Sequence, residues 1–509
     1  MERSPWGYPM GGDITTPEFA REDWGRYRNK LKACLAVLRE IVESGRLEGG
    51  RRLAGVEMEA CLADYDGAVL PINAQILQQL EPGAFQPELA RFTIEFTPAP
   101  RELAADYFDW IERQLTCGLS QTQAAAEALG GQAIVIGILP TITRRDTTEA
   151  NLSPHPRYKA LNDSILAARG EDLRIEIDGQ ESLREVAGSI LFEAACTALH
   201  LHLQVEPKNS AQCWNAAQAA SAPLIAVAAN SPFFLHRQLH HETRVELFRQ
   251  AVDTRAEEFV HQGVRPRVWF GETWLRESVF ELFEENIRFF PPLLPICHDE
   301  DPQAVLDAGG APSLKELALH NGTIYRWNRP VYEVVEGLPH FRIENRVLPA
   351  GPTVIDSVAN LALYCGLLNA LTNAQRPVWE EMSFDAAADN FFTAARHGLE
   401  ARLYWPRVGA GIPVSELLLR HLIPLAREGL REWSIDARDA DRYLDIIEAR
   451  CTTGQNGATW QIATHGALAD QGLNRAEAAR ELTRRYAAYS RRGTPVHTWP
   501  VPQLRLRGR

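Results

Sequence analysis

Four segments of the chain carry carboxylates, imidazoles or guanidiniums at two-residue spacing, alternating with apolar side chains. In Gly55-Val56-Glu57-Met58-Glu59-Ala60-Cys61-Leu62, Glu57 and Glu59 fall on one side and Val56, Met58, Ala60 and Leu62 on the other. Alternate side chains of an extended strand share a face, so the two carboxylates lie about 7 Å apart on one surface. Carboxylates that close repel unless a cation sits over them. Phe92-Thr93-Ile94-Glu95-Phe96-Thr97 repeats the alternation, with Glu95 between two threonines. Leu199 to Val205 sets His200, His202 and Gln204 against leucines and Val205, and Phe341 to Val347 sets Arg342, Glu344 and Arg346 against Phe341, Ile343 and Val347. A face that only met water would draw freely on Thr, Ser, Lys and Gln. Carboxylate and imidazole are the ligand set of Mg²⁺ or Mn²⁺, and arginines beside them suit phosphate or carboxylate groups. The four segments are therefore expected in one antiparallel sheet whose polar face is a metal and phosphate site.

Taken with Glu88, seven residues before Glu95, these segments resemble the glutamate–cysteine ligase group of the glutamine synthetase-like superfamily. Longer stretches agree with its bacterial carboxylate–amine ligase branch: Leu139-Pro140-Thr141 leading to Asn151-Leu152-Ser153-Pro154 and Pro156-Arg157-Tyr158, then Ala229-Asn230-Ser231-Pro232-Phe233. Glu242-Thr243-Arg244, Asp253-Thr254-Arg255, Asn321-Gly322-Thr323 and Arg326-Trp327-Asn328-Arg329-Pro330 follow in the same order. The resemblance covers roughly residues 50 to 400 and implies an α+β fold. Its core would be an antiparallel sheet funnel of the glutamine synthetase-like type, covered by helices on its apolar face, with C-terminal helices beyond. It also implies ATP and Mg²⁺ (or Mn²⁺) as cofactors, phosphorylation of a substrate γ-carboxylate, and attack by an amine on the acyl phosphate. Carried over by position, Glu57, Glu59, Glu88, Glu95, His200 and Glu344 match the family's metal ligands. Arg342 and Arg346 match its phosphate-facing, catalytic arginines. Arg326 and Arg329 are candidates for the amino-acid carboxylate, while Arg157, Arg244 and Arg255 read as structural ion-pair partners. Ala198-Leu199 stands where the family commonly has a Gly-Met pair.

Composition narrows the partners. The net charge of −13, from 53 basic and 66 acidic residues, argues against nucleic acid. Eight scattered cysteines without a Cys-x-x-Cys pair fit buried thiols in a reducing cytoplasm. The N-terminus has no apolar core of a signal peptide, and no apolar run suggests a membrane span. Phosphate loops, Gly-x-Ser-x-Gly and Gly-x-Gly-x-x-Gly are missing, so any ATP must be held by metals and arginines.

The elements that position these residues can be read in order. Residues 1–50 form an arm and a helix, with Thr16 and Pro17 as N-cap and first helical residue and an apolar stripe from Leu31 to Val42. Residues 51–400 form the catalytic domain, including a helix from about Glu102 to Leu115 and a buried strand from Ala133 to Leu139. His236 and His240, spaced as i and i+4, read as one exposed face of a helix. Residues 401–509 form a helical extension on the same body, ending in a mobile tail with Arg505, Arg507 and Arg509.

The leading expectation is an ATP-dependent glutamate–cysteine ligase or related carboxylate–amine ligase acting on small molecules, with oligomeric state left open. A phosphotransferase on the same scaffold, acting on a guanidino or other non-carboxylate acceptor, is the alternative enzyme. A non-catalytic nucleotide or amino-acid sensor is the third reading.

Overall fold

The computed structural model describes residues 19–502. Thr16, Pro17 and the three arginines of the expected tail lie outside them. An eleven-residue strand, β1 (Leu53–Ala63), is the spine of an eight-stranded sheet. The other strands are β2 (Phe85–Pro87), β3 (Thr93–Phe96), β4 (Arg101–Glu102), β5 (Gln132–Ile134), β6 (Leu199–Val205), β7 (Asn328–Val335) and β8 (Leu338–Asn345). Their main order is β7-β8-β6-β1-β3-β2, every pairing antiparallel, with β4 and β5 pairing with the two ends of β1. All four alternating segments thus lie in one sheet, and its register follows their alternation. Glu57 lies opposite His200, Glu59 opposite Glu95, Glu344 opposite His202, and Arg329 opposite Glu344. Because side chains repeat every two residues, a one-residue slip would have turned the carboxylates into the core.

Helices cover the other face. α1 (Arg21–Glu43) buries Leu31, Cys34, Val37, Leu38 and Ile41, the stripe seen in the sequence. It begins at Arg21 among the described residues. α2 (Tyr107–Ala128) starts five residues later than the sequence suggested and runs much further, because Thr122, Ala125 and Ala126 extend its buried stripe. α3 (Ser210–Ala228) is buried on almost every side and is built of small residues, and its Trp214 indole donates to the Asn328 carbonyl of β7 at 2.9 Å. α4 (Val354–Thr372) packs against α3 and is equally enclosed. It is the one helix among the described residues long and apolar enough to cross a bilayer, and 94% of that stretch is buried inside the body. Its apolarity is that of a core helix.

The C-terminal helices join this core. α5 (Ile423–Glu432) crosses α4 so closely that a Cβ on Gly366 would strike the Ala426 carbonyl. α6 (Ala437–Thr453) sends Arg450 into a buried pair with Asp356 of α4 at 2.8 Å. α7 (Gly457–Asp470) and α8 (Arg475–Ser490) meet at Asn230, which bonds Gln461 at 2.9 Å and the Tyr486 hydroxyl at 2.8 Å.

Two local expectations change. The buried apolar run after Ala133 is ladder-paired only as far as Ile134; its remainder is extended chain in the core. His236 and His240 are not on a helix: Phe233–Phe234 and Arg237–Gln238 form a hairpin whose turn holds Leu235 and His236 at positive φ. His240 is buried against the Asp178 carbonyl at 3.0 Å.

Candidate active site

The polar face of the sheet gathers its ionisable groups into a row. The two oxygens of Glu57 lie 3.0 Å from His200 Nδ1 and 2.9 Å from His202 Nε2, so one carboxylate spans two imidazoles. Gly55, which lies opposite His202, presents no side chain there. Burial, then Arg346, pushes the His200 imidazole down to about 4, so the ring is neutral at neutral pH. Its single proton must sit on Nδ1, since Glu57 can only accept, and Nε2 then offers a lone pair 4.0 Å from Glu59 Oε1.

On the other side of β1 the acids stand against one another. Glu59 and Glu95 are direct cross-strand partners, and Glu59 also accepts the Ala198 N–H at 2.8 Å. Burial pushes both carboxyls well up; Glu88 adds to this for Glu59, and Glu57 and Glu88 add to it for Glu95. Glu88 itself is raised by burial. Its loop is pinned from outside: Ser153 donates to the Glu88 carbonyl at 2.5 Å, and the Tyr158 hydroxyl to the Pro87 carbonyl at 2.9 Å. The Asn-Leu-Ser-Pro and Pro-Arg-Tyr stretches therefore act by holding a carboxylate in place.

Toward β7 the same face turns basic. Glu344 is fully buried and receives Arg329 Nε and Arg346 Nη1, each at 2.6 Å. Burial would raise its carboxyl, but the two guanidiniums outweigh burial and hold it far below the usual range. Arg329 Nη1 and Arg346 Nε are buried donors with no hydrogen-bond partner, which leaves each arginine able to meet a further oxyanion. Arg244 supports this end, donating to Glu242 at 3.0 Å and to the Val347 carbonyl at 2.5 Å. Arg255 pairs with Asp253 at 2.8 Å. Both are structural pairs.

Three donor groups, Glu57–His202–Glu344, Glu57–Glu95–His200 and Glu59–Glu88–Glu95, each bring their ligand atoms within 4.8 Å of one another. They share Glu57 and Glu95, so they form one continuous constellation. The donor chemistry fits divalent cations: carboxylate oxygens with two imidazoles, that of His200 neutral, and raised carboxyls that lack enough positive charge nearby.

Not every candidate converges here. Arg342 shares the face but pairs with Glu333 of β7, one step along β8 from Glu344. Arg326 lies on the helix-covered side: it pairs with Glu285 at 2.7 Å and Asn286 at 2.9 Å, and its guanidinium carbon is 5.0 Å from the Trp269 ring. The chain bends at Trp327 between Arg326 and Arg329, and Tyr325–Arg326 pairs with Val268–Trp269 instead of joining the eight-stranded sheet. Conversely, His202 belongs to a donor group as fully as His200 does. Glu193 is also on this side, raised to about 8 by burial and then by Glu88, with Arg346 opposing. A lone carboxylate inside Ile190-Leu-Phe-Glu-Ala-Ala195 was its only signal. The Arg157 guanidinium is lowered by burial, with Tyr158, Tyr325, Arg329 and Glu88 in its field; no ion pair of it occurs among the described residues.

The description of glutamate-cysteine ligase family 2 matches residues 53–485. The chain belongs to that family. The match runs through α5, α6 and α7 into α8, beyond the point near residue 400 where the sequence resemblance fades; these helices are tied in by helix packing against α4 and by buried pairs such as Arg450–Asp356, which leave no linear motif. No curated protein matches the chain. Among solved structures, the glutamate–cysteine ligase of Francisella tularensis in complex with AMP is similar at 12% identity and a TM-score of 0.55, covering 90% of this chain and 91% of that one. A bifunctional glutathione synthetase from Pasteurella multocida is similar at 10% identity and a TM-score of 0.51, covering 90% of this chain and 55% of that one. At such identity the likeness is one of fold: an antiparallel sheet half-barrel backed by helices.

Proposed function

We propose that this member of a ligase family is an ATP-dependent carboxylate–amine ligase, with glutamate and cysteine as the substrates that the family name suggests. The observation that carries the reading is the continuous constellation of three donor groups ending on two half-satisfied arginines. Glu57, Glu59, Glu88, Glu95, His200, His202 and Glu344 would hold Mg²⁺ or Mn²⁺, which when bound neutralises phosphate charge. In the overall reaction the acid's carboxylate takes the γ-phosphoryl group of ATP, and the amine then displaces phosphate to give the amide.

The chain's own residues divide the remaining work. Glu344 holds Arg329 and Arg346 rigid, and the open donor of Arg346 faces the charge that develops on a phosphoryl group in transfer. Arg342 stands further along β8, where it would meet the outer part of the nucleotide. Arg157 would take the acid's distal carboxylate, with Tyr325 beside it. We further propose that residues 51–400 carry the site while residues 401–509 brace α4 behind it. A cytoplasmic setting agrees with eight free cysteines.

The test is ADP and phosphate release by the purified protein with ATP, Mg²⁺, glutamate and a panel of amines. Release that needs both the acid and an amine, with an amide product by mass, supports the ligase. ADP formed on an acceptor lacking a carboxylate would establish a phosphotransferase instead.

A further inference from the structure

Glu193 is a carboxylate that the fold fixes in place and leaves open. Its turn is anchored by Ile190, Leu191, Phe192, Ala194 and Ala195, all buried, while Glu193 itself is half-buried. The Ile190 N–H donates at 3.1 Å to the buried side chain of Asn162, which belongs to the helix Pro156–Arg169. That bond ties the turn of Glu193 to the helix that carries Arg157. Among the described residues neither charged end forms a hydrogen bond or an ion pair, and neither is an enclosed group lacking a partner, so both reach open space.

Tyr325 stands between them. It alternates with Arg326 and so faces the opposite side of its short ladder, and Phe248 fixes its ring at a centroid distance of 5.1 Å. Burial raises its hydroxyl to about 12, and the charges that bear on it are Glu193, Arg346, Arg267 and Arg157. Arg267, 1% exposed, bonds only Thr323 and the Pro291 carbonyl and has no carboxylate partner among the described residues. One end of the site thus holds two guanidiniums without a carboxylate, a free hydroxyl and one open carboxylate. A plain dicarboxylate would satisfy Arg157 and leave Glu193 beside a like charge. An acid with an ammonium on the carbon that bears its distal carboxylate satisfies both. Burial, then Glu88, raises the Glu193 carboxyl, and an ammonium beside it favours its charged form.

We propose that Glu193 selects an α-amino acid as the ligase's acid substrate, its carboxylate receiving the α-ammonium while Arg157 and the Tyr325 hydroxyl donate to the α-carboxylate. The assignment rests on the ligase reading above and adds to it the residue that separates glutamate-like acids from plain dicarboxylic acids.

Calorimetry on the full chain with Mg²⁺ and a non-hydrolysable ATP analogue tests this, using L-glutamate and glutarate, which lacks only the ammonium. The native protein should bind L-glutamate at least about tenfold more tightly than glutarate. Glu193→Gln should weaken L-glutamate by about tenfold and leave glutarate within about threefold, and Glu193→Asp should restore part of the preference. In turnover, KM for L-glutamate should rise in Glu193→Gln while KM for ATP stays unchanged. The proposal is overturned if neither acid binds at about 10 mM, if the native protein binds both acids alike, or if Glu193→Gln keeps the preference. Equal weakening of both acids would make Glu193 a structural residue, and a higher KM for the amine alone would move it to the amine's side; either overturns the proposal. No ADP release from any pair of acid and amine would instead end the ligase reading itself.

Discussion

Glu59 and Glu95 stand directly opposite each other on β1 and β3, two buried carboxyls facing across one antiparallel pair. Like charges in that position destabilise a sheet. Nothing in the fold requires them there, since threonines would complete the ladder equally well; the metal site proposed above would offset the repulsion.

The first prediction concerns stability against pH. The raised carboxyls of Glu59, Glu95 and Glu193 (about 8) lie above their unfolded values, so the folded apo protein holds protons that the unfolded chain releases. That contribution is full below the ordinary carboxylate range and is lost as pH rises toward 8. Glu57 and Glu344, held low, act in the opposite sense under acidic conditions, as do histidines held low by burial, His200 and His320 (each about 4) among them, whose effect is mostly complete by neutral pH. The apo protein should therefore melt at a lower temperature at pH 8 than at pH 6. Mn²⁺ should raise the melting temperature more at pH 8, because it replaces protons. An equal metal shift at both values would contradict the constellation as a metal site.

Glu57→Gln removes one charge from the carboxylate shared by two donor groups and barely changes volume. ATP turnover should fall by at least about 100-fold, with the fold retained by circular dichroism. Turnover within about threefold of the native protein would remove Glu57 from the site.

The sheet was legible because its chemistry obeys a period of two: Glu57, Glu59, Glu95 and His200 each sit between apolar neighbours, Glu344 alternates with Ile343 and Val347, and the register brings them to one face. Arg326 was not, because a guanidinium three residues before Arg329 reads as the same cluster, and the bend at Trp327 that sends Tyr325–Arg326 to pair with Val268–Trp269 has no sequence signal. Glu193 lies in a 3-10 turn, which has no such period, and its partners come from elements distant in sequence. The weight of Arg157 was hidden for a similar reason: an unpaired arginine is known only once its surroundings are seen.

Arg346 and Arg157 should give different kinetic signatures. Arg346→Lys keeps the charge but loses the planar fork that bonds Glu344 and leaves Nε open. It should lower kcat by about 100-fold with a small change in KM for ATP. Arg157→Lys should raise KM for the acid by about tenfold with kcat less affected. Equal effects of Arg157→Lys on ATP and on the acid would end its assignment to the acid.

The last prediction tests the bracing of the site by the C-terminal helices. Gly366 of α4 and Gly429 of α5 meet backbone to backbone, and a methyl group on either would strike the other helix's main chain. Backbone cannot step aside as a side chain can, so the helices must separate along their length. Gly366→Ala should cost about 1–3 kcal/mol and lower the melting temperature, despite alanine's better helix propensity. Asn369, one turn further on, donates to the Gly429 carbonyl at 2.8 Å, and this bond should weaken as the helices part. Asn369→Ala should then be less harmful in the Gly366→Ala background than in the native protein. A double-mutant cycle by denaturant unfolding reads that coupling directly. Strict additivity, or a Gly366→Ala protein as stable as the native one, would show that the crossing of α4 and α5 is looser than its geometry implies.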